Sequence, residues 1–389
     1  MTDPLANSPD QTKSKIRLEY LDGLRGIAAL YVVLYHIYND VSQNFGNVPH
    51  FFQTSINLLL AHGRSSVAIF IVLSGYCLML PVARSTSGDL KGGFFNYIKR
   101  RSRRIIPPYY AALIFSLLFT GLIYNWIGNT GRIWTIGQPA FAPDNIISHF
   151  LLIHNLNQDW GFKINPVMWS VALEWQIYFI FPLLFLPVWR RFGVFALLAI
   201  SYGLSFVLKN YIHLSSYWFV ILFAIGMVGA IIGFCPKNTV KFGKIDLPWD
   251  TIATISFVSW IVVTLMKVAN QETRDILLGI AAISFIISST QFIVDGKNFR
   301  FRSLLSFLES HLVITLGSFS YSLYLTHALV LAFIEVCLSN LHLPGIVRFI
   351  VLLILVIPCS ILVAHRFYLV FEKPFINSPI KTHSYRVSS

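Results

Sequence analysis

Residues 20–40 read YLDGLRGIAALYVVLYHIYND. The run is apolar enough to span a membrane, yet it carries Asp22, Arg25 and His36. A charged side chain at the bilayer centre costs roughly 3 kcal/mol or more, so ionisable groups inside a spanning helix mark a functional site with a partner to be named. Arg25 and His36 are eleven positions apart. At about 100° per residue that returns to nearly the same helix face, about 16 Å further along the axis. One helix therefore presents a cation near one membrane surface and an imidazole near the other.

The rest of the chain agrees with a membrane setting. Of its 389 residues 55% are hydrophobic and only 12% charged, and the mean hydropathy is +0.65, outside the range of soluble domains. Apolar runs near the 20 residues needed to cross about 30 Å of hydrocarbon occur at 21–38, 65–82, 107–126, 167–188, 193–209, 217–234, 249–268, 274–293, 316–336 and 346–371. The expected fold is all-α: a polytopic bundle of about ten transmembrane helices over residues 20–375, between tails at 1–19 and 376–389. Residues 1–17 lack the apolar core of a cleavable signal peptide and read as a disordered tail. Cys77, Cys235, Cys337 and Cys359 sit in or beside apolar runs without metal-ligand spacing and read as core packing.

A net charge of +13 would suggest a nucleic-acid partner in a soluble protein. Here the basic residues fall in alternating loops. One set, which includes Arg84, Arg190, Arg191, Lys237, Arg300 and Lys373, holds three times as many Lys and Arg as the other. Positive loops face the cytoplasm, so ten spans with both termini cytoplasmic are expected and no nucleic acid is needed. The first helix then runs outward, with Arg25 near the inner surface and His36 near the outer one.

The densest basic cluster is FFNYIKRRSRRIIPPYY, residues 94–110. Arg100 with Arg103, and Arg101 with Arg104, are spaced to share a helix face. Such guanidiniums suit bidentate capture of phosphate, and equally suit anchoring to anionic lipid. Pro107 and Pro108 suggest a break between an interfacial helix and the third span. In AIFIVLSGYCLML, residues 68–80, Ser74 and Gly75 read as close-packing residues; the GxSxG elbow that would make Ser74 a nucleophile is absent. Gly203, Gly226, Gly229 and Gly233 are further packing points.

The outer loop contains ISHFLLIHNLNQDWGF, residues 147–162, too short to span and better read as re-entrant or interfacial. His149, His154, Trp134 and Trp160 are placed either to touch a sugar-like acceptor or, for the tryptophans, to anchor at the interface. The fourth span opens with NPVMWSVALEWQIYFIFPLLF, residues 165–185, and puts Glu174 roughly 10 Å below the outer surface. Two readings stand: a pairing of Glu174 with His36, or a structural carboxylate satisfied by Trp and Tyr donors. In residues 314–336 the polar Ser320, Tyr321, Ser322, Tyr324, Thr326 and His327 point to a water-filled cavity or substrate channel. His365, Arg366, Glu372 and Lys373 read as snorkelling and anchoring groups.

Together the stretches at 21–36, 69–78, 100–110, 169–184, 320–327 and 371–375 resemble the integral-membrane acyltransferase 3 family. The resemblance implies ten core helices and a cytoplasmic acyl-coenzyme A donor. It also implies transfer of an acyl group other than an aminoacyl group, commonly acetyl, to a hydroxyl of a glycan, glycolipid or secreted metabolite at a bacterial plasma membrane. The family's first-helix arginine and histidine fall on Arg25 and His36. Its arginine pair fits either Arg100 with Arg103 or Arg101 with Arg104. Some family members carry a fused esterase-like domain, and none follows here before Ser389, so action alone or with a separate partner is expected. His36 is then the expected general base, with Glu174 beside it, no metal and no bound cofactor required. Asp22 would orient Arg25, and Ser74, Trp169, Ser170, Tyr324 and His327 would support the site. The competing reading is a transporter or flippase whose path these charges line.

Overall fold

The computed structural model describes residues 17–42, 45, 49–85, 87–127, 141–211, 216–234 and 247–376. They are helical, with no strand among them. Trp134, Cys235, and several of the basic loop residues counted above, among them Lys237, lie outside the described residues.

The first half of the bundle comprises α1 (Tyr20–Val41), α2 (His50–Leu60), α3 (Gly63–Ala83), α4 (Gly93–Ile127), α5 (Pro143–Phe150), α6 (Trp169–Ile180) and α7 (Leu186–Tyr211). The second half comprises α8 (Phe219–Phe234), α9 (Trp249–Leu265), α10 (Gln271–Asp295), α11 (Arg302–Leu308), α12 (His311–Ser318), α13 (Ser320–Leu338), α14 (Gly345–Phe367) and α15 (Lys373–Ile376). Single π turns at Phe181–Phe185 and Tyr368–Glu372 follow α6 and α14.

Six helical stretches among the described residues are long and apolar enough to cross a membrane, against the ten expected. The difference has physical causes. The predicted fourth and fifth spans form one stretch, Trp169–Tyr211, bent at Gly193, whose φ of 83° no helix interior adopts. α8 and α9 are apolar but shorter. α1, loaded with Asp22, Arg25 and Asp40, is not among the six; it is shielded instead, packed by α3, α12, α13 and α14. Nor do Pro107 and Pro108 break the chain: α4 runs straight through them from Gly93 to Ile127. Two carbonyls lose their donors there, a loss that neighbouring helices in a bundle tolerate.

α3 and α8 meet backbone to backbone. A Cβ on Gly75 would strike the Phe223 carbonyl, and one on Gly226 the Val72 carbonyl. The same holds for α1 on α12, where Gly26 and Gly317 touch. Small residues permit this approach, which is how helices gain packing in lipid. Gly203, expected to do likewise, faces open space.

α1 contributes to both hydrophobic clusters among the described residues. Tyr20, Leu21 and Val32 join the large one with α3, α6 and α8. Ala29, Val33 and Ile37 join the smaller one with α13 and α14. Exposed Leu122, Phe206, Ile255 and Ile354 form the apolar exterior suited to lipid.

Candidate active site

α1 and α3 run antiparallel. Arg25 reaches Cys77 near the end of α3, while a Cβ on Gly63 at its start would meet Tyr35. α13 runs alongside α1: Tyr321 lies at the arginine end and His327 beside His36. These directions set the depth of every polar group between them.

At the arginine end Arg25 Nη1 donates to Asp22 Oδ1 at 3.0 Å and Nη2 to Cys77 Sγ at 3.0 Å. Asp22, three residues away, holds the guanidinium as the spacing suggested. Arg101 and Arg104 of α4 turn toward the same space. The Arg101 guanidinium lies over the rings of Tyr178 (5.7 Å) and Tyr97 (6.0 Å). Arg25, Arg101 and Arg104 thus line one cavity of about 290 Å³. Arg100 does not: it is exposed and donates to the Lys91 carbonyl at 2.9 Å. Arg103 is also absent from the lining. The equal spacing of the two arginine pairs concealed which one faces inward.

Further along the same cavity stand Ser74, Glu174, Ser170 and Tyr324. Glu174 accepts from Ser74 Oγ at 2.9 Å and from Tyr178 Oη at 2.6 Å. Of its expected pairing with His36, directly or through water, no direct hydrogen bond is formed among the described residues; the donors present are a Tyr, as the second reading had it, and a Ser. Tyr178 is four residues after Glu174, one helical turn along the same face. Ser170 and Tyr324 share a hydrogen bond of 2.6 Å.

Tyr324 leads on to the histidines. Its ring centroid is 6.0 Å from that of His327, which lies 5.2 Å from that of His36. His327 is buried, and its Nδ1 bonds the Leu323 carbonyl at 3.1 Å. That bond puts the proton on Nδ1 and leaves Nε2 as a buried acceptor with no partner among the described residues. Neither histidine lines the arginine cavity; both stand one turn beyond it. Trp169 faces away, into a second cavity on the other side of α6.

Other expectations are corrected. His149 and His154 do not face a bound sugar: both are fully buried, with rings stacked 3.9 Å apart. Trp160 Nε1 donates to Asp144. Glu372, expected at the interface, is 2% exposed and accepts from Ser322 at 2.5 Å. Cys77, Tyr178 and Arg64 line cavities although the sequence did not single them out for a site. Cys77 was findable, because it lies three residues beyond Ser74 and so shares its face.

A sequence profile described as an acyltransferase domain matches residues 18–365. The chain belongs to the acyltransferase 3 family. The match encompasses every cavity residue named above and stops short of Glu372. The acyltransferase 3 chain is 25% identical over 393 residues to a Staphylococcus aureus strain COL protein whose name assigns it provisionally as an O-acetyltransferase. That alignment covers 95% of this chain and 59% of the relative. O-acetyltransferase OatA of S. aureus strain NCTC 8325 / PS 47 is 25% identical over 333 residues, 81% of this chain and 51% of its own. The acyltransferase 3 chain therefore spans between about half and three fifths of these curated relatives. No solved structure matches it.

Proposed function

We propose that the chain is a multi-pass enzyme of the bacterial plasma membrane, with both termini cytoplasmic. It moves an acyl group, acetyl by preference, from cytoplasmic acyl-coenzyme A to a hydroxyl of a glycan, glycolipid or secreted metabolite on the opposite side. The observation that carries this reading is the cavity that begins at Arg25, Arg101 and Arg104 and ends one turn short of His36. The names of the S. aureus relatives support the O-acetyl part.

In this reading the three guanidiniums bind the donor's phosphates, each through charge-assisted hydrogen bonds. The pantetheine arm lies along the cavity past Ser74 and Glu174. Neutral His36 takes the proton of the acceptor hydroxyl as its oxygen attacks the thioester carbonyl. The new C–O bond forms, the C–S bond breaks, and the proton held on His36 passes to the departing thiolate, so coenzyme A leaves as the thiol. His327, its Nδ1 proton committed to Leu323, packs its ring 5.2 Å from that of His36 and limits how that ring can turn. Glu174 stays a hydrogen-bonded wall of the cavity.

The test is coenzyme A release from acetyl-coenzyme A by purified protein in nanodiscs, wild type against His36→Ala. Retained transfer by a folded mutant overturns the assignment of the base. Accumulation of an unmodified substrate across a vesicle membrane, with no thiol released, overturns the enzyme.

A further inference from the structure

The arginine cavity changes character along its length. Arg25, Arg101 and Arg104 make one end cationic, and Ser74 and Glu174 follow as a polar middle. The remaining wall is apolar and aromatic, built from Val67, Phe70 and Ile71 of α3, Val171 of α6 and Tyr324 of α13. Phe70 precedes Cys77 by seven residues, two turns or about 10 Å of α3 away from the contact with Arg25. Among the described residues of α1 only Arg25 reaches the lining, so this helix leaves the cavity wall before His36.

A pair of rings stands between that apolar end and the histidines. Phe70 meets Tyr324 edge to face, with centroids 6.0 Å apart and planes at 67°. The same Tyr324 ring lies 6.0 Å from that of His327, which leads to His36 at 5.2 Å. Tyr324 is held from two neighbouring helices, by Phe70 of α3 and by the 2.6 Å hydrogen bond to Ser170 of α6. Phe70 is held as well, because it packs against both hydrophobic clusters. One of these supplies Val67, Ile71 and Val171 of the cavity wall, and the other holds Val33 and Ile37 beside His36. Phe70 therefore sits on the boundary between the two.

A thioester that enters at the arginines must pass these rings to meet His36. Rings packed at interior density give way by changing rotamer and not by compression, so the bulk of the two side chains sets the size of what passes. The apolar wall suits the alkyl end of an acyl group. In such a pocket each surplus methylene costs about 10- to 200-fold in discrimination. We propose that Phe70 and Tyr324 form an acyl-size filter, which separates the arginine cavity from the histidines, admits an acetyl group and excludes a butyryl chain. The filter rests on the acyl-transfer reading for the identity of what passes. Phe70 sets specificity and takes no part in the bond changes.

The experiment uses the full chain in nanodiscs with two readouts. The first needs no turnover: calorimetric titration with two inert thioethers, S-ethyl-coenzyme A and S-butyl-coenzyme A. The second is kcat/KM for coenzyme A release from acetyl- and butyryl-coenzyme A. In both, the wild type is expected to favour the two-carbon compound by about 100-fold, and Phe70→Ala to reduce the preference to about ten-fold or less. Phe70→Leu, nearer in volume and less exposed to misfolding, is expected to fall between them. Tyr324→Phe keeps the ring, and is expected to lower turnover of both donors while leaving their ratio within about two-fold of wild type. Equal wild-type affinity for the two thioethers, or an unchanged preference in folded Phe70→Ala and Phe70→Leu proteins, overturns the filter. Discrimination between the thioethers without any acyl transfer leaves the filter standing and removes the enzyme reading. Acetyl and butyryl transfer at equal rates by the wild type does the reverse, and absence of binding by either thioether overturns both.

Discussion

The His36 ring lies 5.2 Å from the His327 ring, with the planes tilted by 44°. Because His327 donates its Nδ1 proton to the Leu323 carbonyl, the two imidazoles are inequivalent: the tautomer of His327 is set, with Nε2 as its free acceptor among the described residues. His36→Ala is expected to lower turnover about 10²- to 10⁴-fold, the usual worth of a general base, with KM for acetyl-coenzyme A unchanged. Tyr324→Phe, which removes the Ser170 bond, is expected to cost about ten-fold. Steady-state coenzyme A release measures both.

The two arginine pairs separate by position: Arg101 and Arg104 line the cavity, Arg100 and Arg103 do not. Arg101→Gln and Arg104→Gln are each expected to raise KM for acetyl-coenzyme A by about 10- to 100-fold, the worth of a charge-assisted hydrogen bond. Arg100→Gln, directed at Lys91 outside the cavity, is expected to stay within about two-fold of wild type. Equal effects from all three would return the cluster to the role of a lipid anchor.

Cys77 reports on occupancy. It lines the arginine cavity, whereas Cys337 and Cys359 are exposed. In a protein with the other three cysteines changed to alanine, coenzyme A at ten times its Kd should slow maleimide alkylation of Cys77 about ten-fold, read by mass spectrometry. Undiminished labelling would place the nucleotide elsewhere.

At the far end of α1, Arg348 pairs with Glu335 and lies 3.7 Å from Asp40, joining α1, α13 and α14. Both carboxylates are largely buried. Arg348→Met strands them and is expected to destabilise the protein by about 3–5 kcal/mol, whereas the triple change of all three to apolar residues should cost much less. Thermal unfolding in detergent distinguishes the cases.

The stacked His149 and His154 give stability a pH dependence. Burial, aided for His154 by the neighbouring charge of His149, lowers their pKa values to about 4 and about 3. Unfolded histidine titrates near 6.5, so between those limits the unfolded chain binds more protons. The pair's contribution is complete above pH ~6.5 and is lost as the pH falls toward 4 and then 3. Melting temperature measured from pH 8 to pH 5 should decline, and should decline less in His154→Phe.

Hydropathy alone made the helical membrane bundle legible, because a span of apolar residues has few other uses. The i, i+3 tie of Asp22 to Arg25 was legible too, since it depends on one helix only. What required the structure was rotation about helix axes. Arg100 with Arg103 and Arg101 with Arg104 have identical spacing, and only the packing of α4 against α6 and α13 selects which pair turns inward. Glu174 carried the same ambiguity: Tyr178 shares its face, but Ser74 comes from α3, a hundred positions away. The burial of Glu372 depends on a π turn that no local pattern announces. The proline pair misled because the penalty for Pro in an isolated helix is softened inside a bundle.

The double allegiance of α1 makes it a ruler. One stretch of it is clamped by the large cluster and another by the small one, so the distance from Arg25 to His36 is set by covalent geometry, about 16 Å, and not by side-chain choice. A single alanine inserted between them would lengthen that distance by only about 1.5 Å, yet turn His36 about 100° away from His327. In the proposed mechanism the helix would gauge the donor in two coordinates at once, reach and bearing, and bearing would be much the less forgiving.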